Sequence, residues 1–329
     1  MRQETLKLLF RAIDGSPEDD LVKVANRIID EEEEKGHNRL AESLKRILKQ
    51  NLKASKLLNQ ELKDIFGNIP TSKRNQIPFA VPIDRKDLRH HMVLPPEIEE
   101  RLIRIEKEYV AKERLANFGL KPKQKLLFFG PPGCGKSMAA ERIAWDLGLP
   151  FVKVQFEAII SSFLGESASN LKKLFEFTKN FPCVLLLDEC DFIARSRTSG
   201  NEVGEMVRIV NILLGLLEDY ESPGIVIATT NLETSLDKAL FRRFDEVLEI
   251  PKPGEAEILQ LLKMSLSAIK LGEEVNLSGF KKKMEGFSAA MVVRVAEEAA
   301  KSAVLFGDGT IRNEHLESAY KEIMKTNLG

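Results

Sequence analysis

Apolar positions change their spacing three times along this chain. In the first stretch they recur at helical intervals: Leu21, Val24, Ala25, Ile28 and Ile29, then Leu40, Leu44, Ile47 and Leu48, one stripe for each of two helices. Gly36 breaks the two. Residues 1–66 therefore read as a charged helical domain, an adaptor in character, and the acidic run from Glu31 to Glu34 as a solvated helix end. Between residues 67 and 96 the periodicity is lost. Pro70, Pro78 and Pro82 mark a linker with one short extended segment.

Nearly continuous apolar runs come next, at residues 125–130, 151–156, 183–188, 224–229 and 246–250. Such runs are the pattern of strands covered on both faces. Helical stretches lie between the earlier ones, for example the core stripe Met206, Val210, Leu213, Leu214 and Leu217. The expectation is a parallel α/β sheet within residues 97–252. After "PKPGEAE" the strands stop, and helices are expected at 255–270, 277–285, 288–306 and 313–326, a small helical domain over residues 253–329.

Composition narrows the classes. The 329 residues are 30% charged with a net charge of −1, which argues against a nucleic-acid partner. No run of about 18 apolar residues is present, so no membrane span is expected. Cys134, Cys183 and Cys190 are not spaced as a zinc ligand set, and "MRQETLKLLF" is too short and too charged for a secretory leader. A reducing, cytoplasmic setting follows as the expectation. His37, His90, His91 and His315 match no metal motif.

The chemistry begins at residues 130–137. "GPPGCGKS" fits G-x-x-x-x-G-K-[ST], follows an apolar strand and precedes a helical stretch, the context a phosphate-binding loop requires. Gly130, Pro131, Pro132, Gly133, Cys134, Gly135, Lys136, Ser137 and Met138 are its candidate ATP-binding residues. The glycines let backbone N–H groups turn inward, and the helix N-terminus adds its positive end. Lys136 can bridge the β- and γ-phosphates and Ser137 can ligate Mg²⁺. "LLLDECD" then ends an apolar strand in Asp188 and Glu189. Asp188 suits the Mg²⁺ shell and Glu189 the attacking water. Asp191 is either a further ligand or a helix N-cap. The strand at 224–229 runs into Thr229, Thr230 and Asn231, whose amide can bond water or the γ-phosphate. Arg242 and Arg243 stand just before the last strand.

A phosphate loop, Asp-Glu after one apolar strand, Thr-Asn after the next and Arg-Phe-Asp before the last, in that order over residues 85–329, resemble an AAA ATPase, and stand-alone bacterial members with one ATPase domain in particular. The resemblance implies a five-strand sheet in the order 5-1-4-3-2, a helical lid, and ATP with Mg²⁺ bound between neighbours of a homo-oligomeric ring, usually of six. It implies Asn231 as the γ-phosphate sensor, and Arg242 and Arg243 as fingers reaching the next subunit's ATP. It also implies that "DLRHHMVLP" helps form the adenine pocket. Two departures are visible. The family spaces its arginines as R-x-x-R-F-D, whereas here they are adjacent, and the lid's "GFSAAM" carries Met291 where an Asp is usual.

"FLGES" falls where the family places an aromatic–aliphatic–glycine loop facing the ring's pore, so Phe163, Leu164 and Gly165 are implied to grip an extended polypeptide; "RTSGNEVGE" matches the second pore loop. The expected function is ATP-driven threading or reshaping of protein substrates. A second reading is a nucleotide-dependent assembly switch that regulates a partner such as a protease or effector.

Overall fold

A computed structural model describes residues 20–38, 40–49, 66–72, 76–160, 166–191, 203–231 and 241–327. The chain divides into two compact units, Met1–Ile69 and Pro70–Gly329. In the first, the helix Asp20–Glu34 and a helix over residues 40–49 meet at Gly36. Val22, Ala25 and Ile29 pack against Leu40, Ala41, Leu44 and Leu48. Val24 lies off this stripe and is 53% exposed. Within the acidic run, Glu32 bonds His37 and Glu33 pairs with Lys45 at 2.6 Å, exposed contacts that water screens.

The second unit is built on a six-stranded sheet. In chain order its strands are β1 (Ala80–Ile83), β2 (Lys125–Phe129), β3 (Phe151–Val154), β4 (Val184–Leu187), β5 (Ile225–Thr230) and β6 (Glu246–Glu249), arranged β1-β3-β4-β5-β2-β6. β2 to β6 pair in parallel and reproduce the order expected for five strands. The addition is β1, which runs antiparallel along β3 from within the segment expected as a linker. Pro82 is tolerated there because β1 is an edge strand and needs bonds on one side only.

Alternation explains why the strands read as continuous apolar runs. Leu126, Phe128, Phe151, Val184, Leu186, Ile225, Ile227 and Leu248 join one core with the helices Pro96–Val110 and Lys136–Leu147. Leu127, Val152, Leu185, Leu187, Val226 and Ala228 fall on the opposite face by the period of two and are equally buried. Burying a side chain the size of Phe128 or Phe151 stabilises by about 1.5–3 kcal/mol before entropy is counted. Val210, Leu213, Leu214 and Leu217 of the helix Val203–Glu218 are buried as their stripe predicts; the Met206 side chain lies outside the described residues.

Helices Glu255–Ser265, Leu277–Lys283, Ala289–Phe306 and Asn313–Asn327 form the lid around Ile258, Leu262, Phe280, Val292, Ala296 and Leu316. Two strands of two residues, Lys270–Leu271 and Thr310–Ile311, pair in parallel inside it, a detail too short to leave a periodic signal.

Candidate nucleotide site

β2 delivers the chain into residues 130–137 at its carboxyl end. Gly130 sits at φ +134°, and a Cβ there would lie 2.4 Å from the Ile250 carbonyl oxygen, so no other residue fits. Gly133, at φ +74°, lies under the lid: a Cβ would meet Ser288 Oγ at 2.9 Å and Ala290 Cβ at 3.2 Å. The Ala290 N–H donates to the Gly133 carbonyl at 2.9 Å. Ser288 caps the lid helix Ala289–Phe306 by accepting from the Met291 N–H, so the start of that helix is locked onto the phosphate loop.

Lys136 opens the next helix and is only 7% exposed. Its ammonium donates to the Gly130 and Pro131 carbonyls, both at 2.8 Å. Burial pushes its pKa down, opposed by the charges of Cys134, Asp191, Asp188 and Glu189. A buried ammonium held, among the described residues, by its own loop's carbonyls is a cation ready for an anionic partner.

Sheet register supplies the acids. Leu187 pairs with Ala228, so the next residues, Asp188 and Thr229, fall side by side. Asp188 Oδ1 accepts from Thr229 Oγ1 and from Ser137 Oγ, each at 2.7 Å, and Oδ2 accepts from Lys153 Nζ at 2.6 Å. Burial acts to raise its pKa, but the bonds from Lys153, Thr229 and Ser137 prevail and hold the carboxyl below the ordinary range. A hydroxyl beside a carboxylate is the hard-oxygen set that Mg²⁺ takes when substrate and water supply its other ligands, so Ser137 and Asp188 fit the metal.

Glu189 is exposed and holds φ +54°, an αL conformation costly for a non-glycine residue. Its N–H donates to Thr229 Oγ1 at 3.0 Å, and the Cys190 N–H to the Thr229 carbonyl at 2.7 Å. Both bonds fix the turn on which this exposed carboxylate stands. Asp191, weighed in the sequence as a ligand or a helix cap, reaches across the sheet end instead. It accepts from Thr230 Oγ1 and the Asn231 N–H, each at 2.8 Å, and from Asn231 Nδ2 at 3.3 Å.

The segment "DLRHHMVLP" lies against the same loop. The Arg89 N–H and guanidinium bond the buried Glu141 carboxylate at 2.8 and 3.0 Å, His90 stacks on Trp145 with centroids 3.9 Å apart, and Met92 is the nearest side chain to Gly135. Met92 and Leu94 join the sheet's core while Val93 joins the lid's. Three contributors had no assignment in the sequence: Lys153, Thr229 and the Arg89–Glu141 pair. A lone lysine inside the apolar run 151–156 was the one visible signal.

Arg242 and Arg243 are not brought to this site. They precede β6, whose Glu246 pairs with Leu126 near the start of β2, whereas the phosphate loop follows the end of β2. Both arginines line an open depression with Lys125, the first residue of β2, while Phe241 just before them packs edge-on against Phe129 at the strand's other end, ring centroids 6.4 Å apart. Arg242 is exposed, and Arg243 Nε lies 3.5 Å from Glu218 Oε2. Arg294 is exposed on the lid helix. Phe163, Leu164 and Gly165, and most of "RTSGNEVGE", lie outside the described residues. No described helix is long and apolar enough to cross a membrane.

The family model for the ATPase family associated with various cellular activities (AAA) matches residues 126–252. An uncharacterized AAA family ATPase, y4kL of Sinorhizobium fredii, is 36% identical over 304 residues, 92% of this chain and 90% of that one. The proteasome-activating nucleotidase of Methanocaldococcus jannaschii is 28% identical over 277 residues, 82% of this chain and 64% of that one. The ATP-dependent zinc metalloprotease FtsH of Helicobacter pylori is 33% identical over 232 residues, 68% of this chain but 37% of that one. The loop, the paired acids and the lid contact thus stand in a chain related along nearly its whole length to a member of one family: this protein is an AAA-family ATPase.

Proposed function

We propose that the protein hydrolyses ATP at an interface between copies of itself and uses the cycle to thread or reshape protein substrates through a central pore, in a homo-oligomeric ring of six. The observation that carries the assembly is the placement of Arg242 and Arg243 at the end of the sheet opposite the phosphate loop of the same chain. Arginines on that edge are placed to serve another copy's nucleotide. Arg242 is the one turned to solvent, while Arg243 is engaged with Glu218, so Arg242 takes the reaching role and Arg243 steadies the turn.

Within one chain, Lys136 and the loop N–H groups hold the phosphates. Ser137 and Asp188 hold Mg²⁺, which when bound neutralises charge on the phosphate oxygens. Glu189 accepts a hydrogen bond from water and orients it. Asn231, gripped through its backbone and amide by Asp191, presents its remaining polar capacity to the same space. Residues 88–94 touch both cores and border the base. The lid contact at Gly133 means that a change at the phosphates is felt at Ser288 and Ala290, which is how hydrolysis would move the lid.

Threading is supported by "FLGES" and by the names of two relatives, a nucleotidase that activates a proteasome and an ATP-dependent protease. An aromatic grips extended chain by sequence-tolerant contact at low entropy cost. Residues 1–66 would serve as the adaptor to a partner. Cys134, Cys183 and Cys190 are all buried thiols, which suits a reducing cytoplasm. The test is Phe163→Ala. Basal ATPase and melting temperature should hold, with stability changed by less than about 0.5 kcal/mol, while stimulation by unfolded protein is lost. A loss of about 3–5 kcal/mol would mark Phe163 as core and remove the threading argument.

A further inference from the structure

Lys153 belongs to no motif of the family resemblance, yet it makes the shortest bond to the Asp188 carboxylate. It is the only charged residue of β3. β3 pairs with β4 so that Lys153 lies beside Leu186, two residues short of Asp188, and its Nζ reaches Asp188 Oδ2 at 2.6 Å. The two partners differ sharply in surroundings: the Asp188 side chain is 12% exposed and that of Lys153 45%. Asp188 Oδ1 is already engaged by two hydroxyls, so the ammonium supplies the positive charge that a largely desolvated carboxylate needs.

We propose that the Lys153 ammonium is a resident stand-in for the metal. It neutralises Asp188 while the site lacks Mg²⁺ and is displaced when Mg²⁺ arrives with nucleotide. The inference rests on the reading of Asp188 as a metal-binding residue. A dication and an ammonium on one carboxylate repel each other, so loading the metal requires the lysine to leave. The side chain is suited to leaving: a flexible four-carbon stem carries the charge, and its half-exposed position lets it return to water. Lys153 therefore acts through Asp188 as a positioning residue. It keeps the empty site ordered and sets the Mg²⁺ level at which the site loads. A neutral residue there should weaken the empty protein and tighten metal binding, two effects of opposite sign that a purely structural contact would not produce.

The test uses the full chain with ADP as probe, titrated with Mg²⁺ and followed by thermal melting and by ADP affinity. In Lys153→Met the protein without metal and nucleotide should melt a few degrees lower. The Mg²⁺ midpoint for ADP binding should fall about tenfold, the factor of about one pKa unit that a neighbouring opposite charge exerts on a carboxyl. Lys153→Gln, a second neutral variant that keeps a donor, should lower the midpoint likewise, and Lys153→Arg should stay near wild type. An unchanged or higher midpoint in both neutral variants overturns the proposal, a higher one meaning that Lys153 contacts phosphate. Asp188→Ala separates the two layers: it should raise the midpoint, and if it leaves the Mg²⁺ dependence at wild type then the metal reading itself fails.

Discussion

The two ends of the sheet are built for different tasks. At the carboxyl end, side chains following β2 and β4 and at the end of β5 are tied together with one from β3, and the loop is tied to the start of the lid. Ser137, Lys153 and Thr229 converge on Asp188, while Thr230 and Asn231 converge on Asp191. At the amino end, Arg242 faces solvent beside an open depression shared with Lys125, Glu218 and Arg243. One end is a cradle closed within the chain, and the other is an open cationic edge whose Lys125 and Arg243 pair with Asp245 and Glu218. If the arginines are fingers, as proposed, the chain carries the two halves of a hydrolytic site apart from each other. On the proposed reading a head-to-tail contact between copies joins them, and such a contact closes into a ring if the rotation permits.

The largest effects should come from the closed end. Lys136→Ala should abolish ATP binding. Glu189→Gln should bind ATP and lose about 10²–10³ in turnover, as expected when a positioned acid–base group is lost. Binding assays beside steady-state hydrolysis check both, and a Glu189→Gln protein at wild-type rate would contradict the assignment.

Gly133→Ala should have an intermediate effect. The added methyl meets Ser288 and Ala290 in a left-handed backbone, at a cost of about 1–3 kcal/mol. ATP affinity should drop, and protease cleavage between sheet and lid should quicken. Ser288→Ala in the same background, by removing the hydroxyl that the methyl meets, should restore part of the loss.

The smallest effect lies behind the closed end, where the helix Pro96–Val110 packs on the phosphate-loop helix. Glu106 there is half-buried, and among the described residues its Oε1 has no hydrogen-bond partner. Burial first, then the Asp146 charge, raise its pKa to about 7, with Arg142 opposing and Glu99 adding. The protonated form is thus the one the fold favours. Its contribution is present below the unfolded value near 4.5 and is lost as pH rises through about 7. Glu106→Gln should remove that slope and raise stability at pH 8 by about 1–2 kcal/mol, discounted for partial exposure. Melting curves of both proteins at pH 5 and 8 measure the difference.

What was legible in the sequence follows from the kind of signal each part leaves. The five parallel strands are two-sided and so appear as unbroken apolar runs, and the phosphate loop is local, complete within residues 130–137. β1 was harder to read because an edge strand with a proline lacks that pattern. The Lys153–Asp188 and Arg89–Glu141 pairs span 35 and 52 residues and depend on register and helix packing, which no local pattern encodes. Asp191 reads from sequence as a ligand or a cap, whereas its partners, Thr230 and Asn231, stand at the end of β5, the neighbouring strand. The separation of the arginines from the loop was implicit in a parallel sheet, where whatever precedes one strand lies opposite whatever follows its neighbour.

The central claim, that a working site needs the carboxyl end of one copy and the amino end of another, is tested most directly by mixing two inactive proteins. Lys136→Ala keeps its arginines but cannot hold ATP, and the double variant Arg242→Ala/Arg243→Ala holds ATP but has no finger to lend. Each alone should hydrolyse at a small fraction of the wild-type rate. Mixed and allowed to exchange, they should recover activity that peaks near equal amounts, because some interfaces pair an intact loop with intact arginines. Full hydrolysis by the double arginine variant alone, or by the wild-type protein diluted to a monomer, would contradict the account.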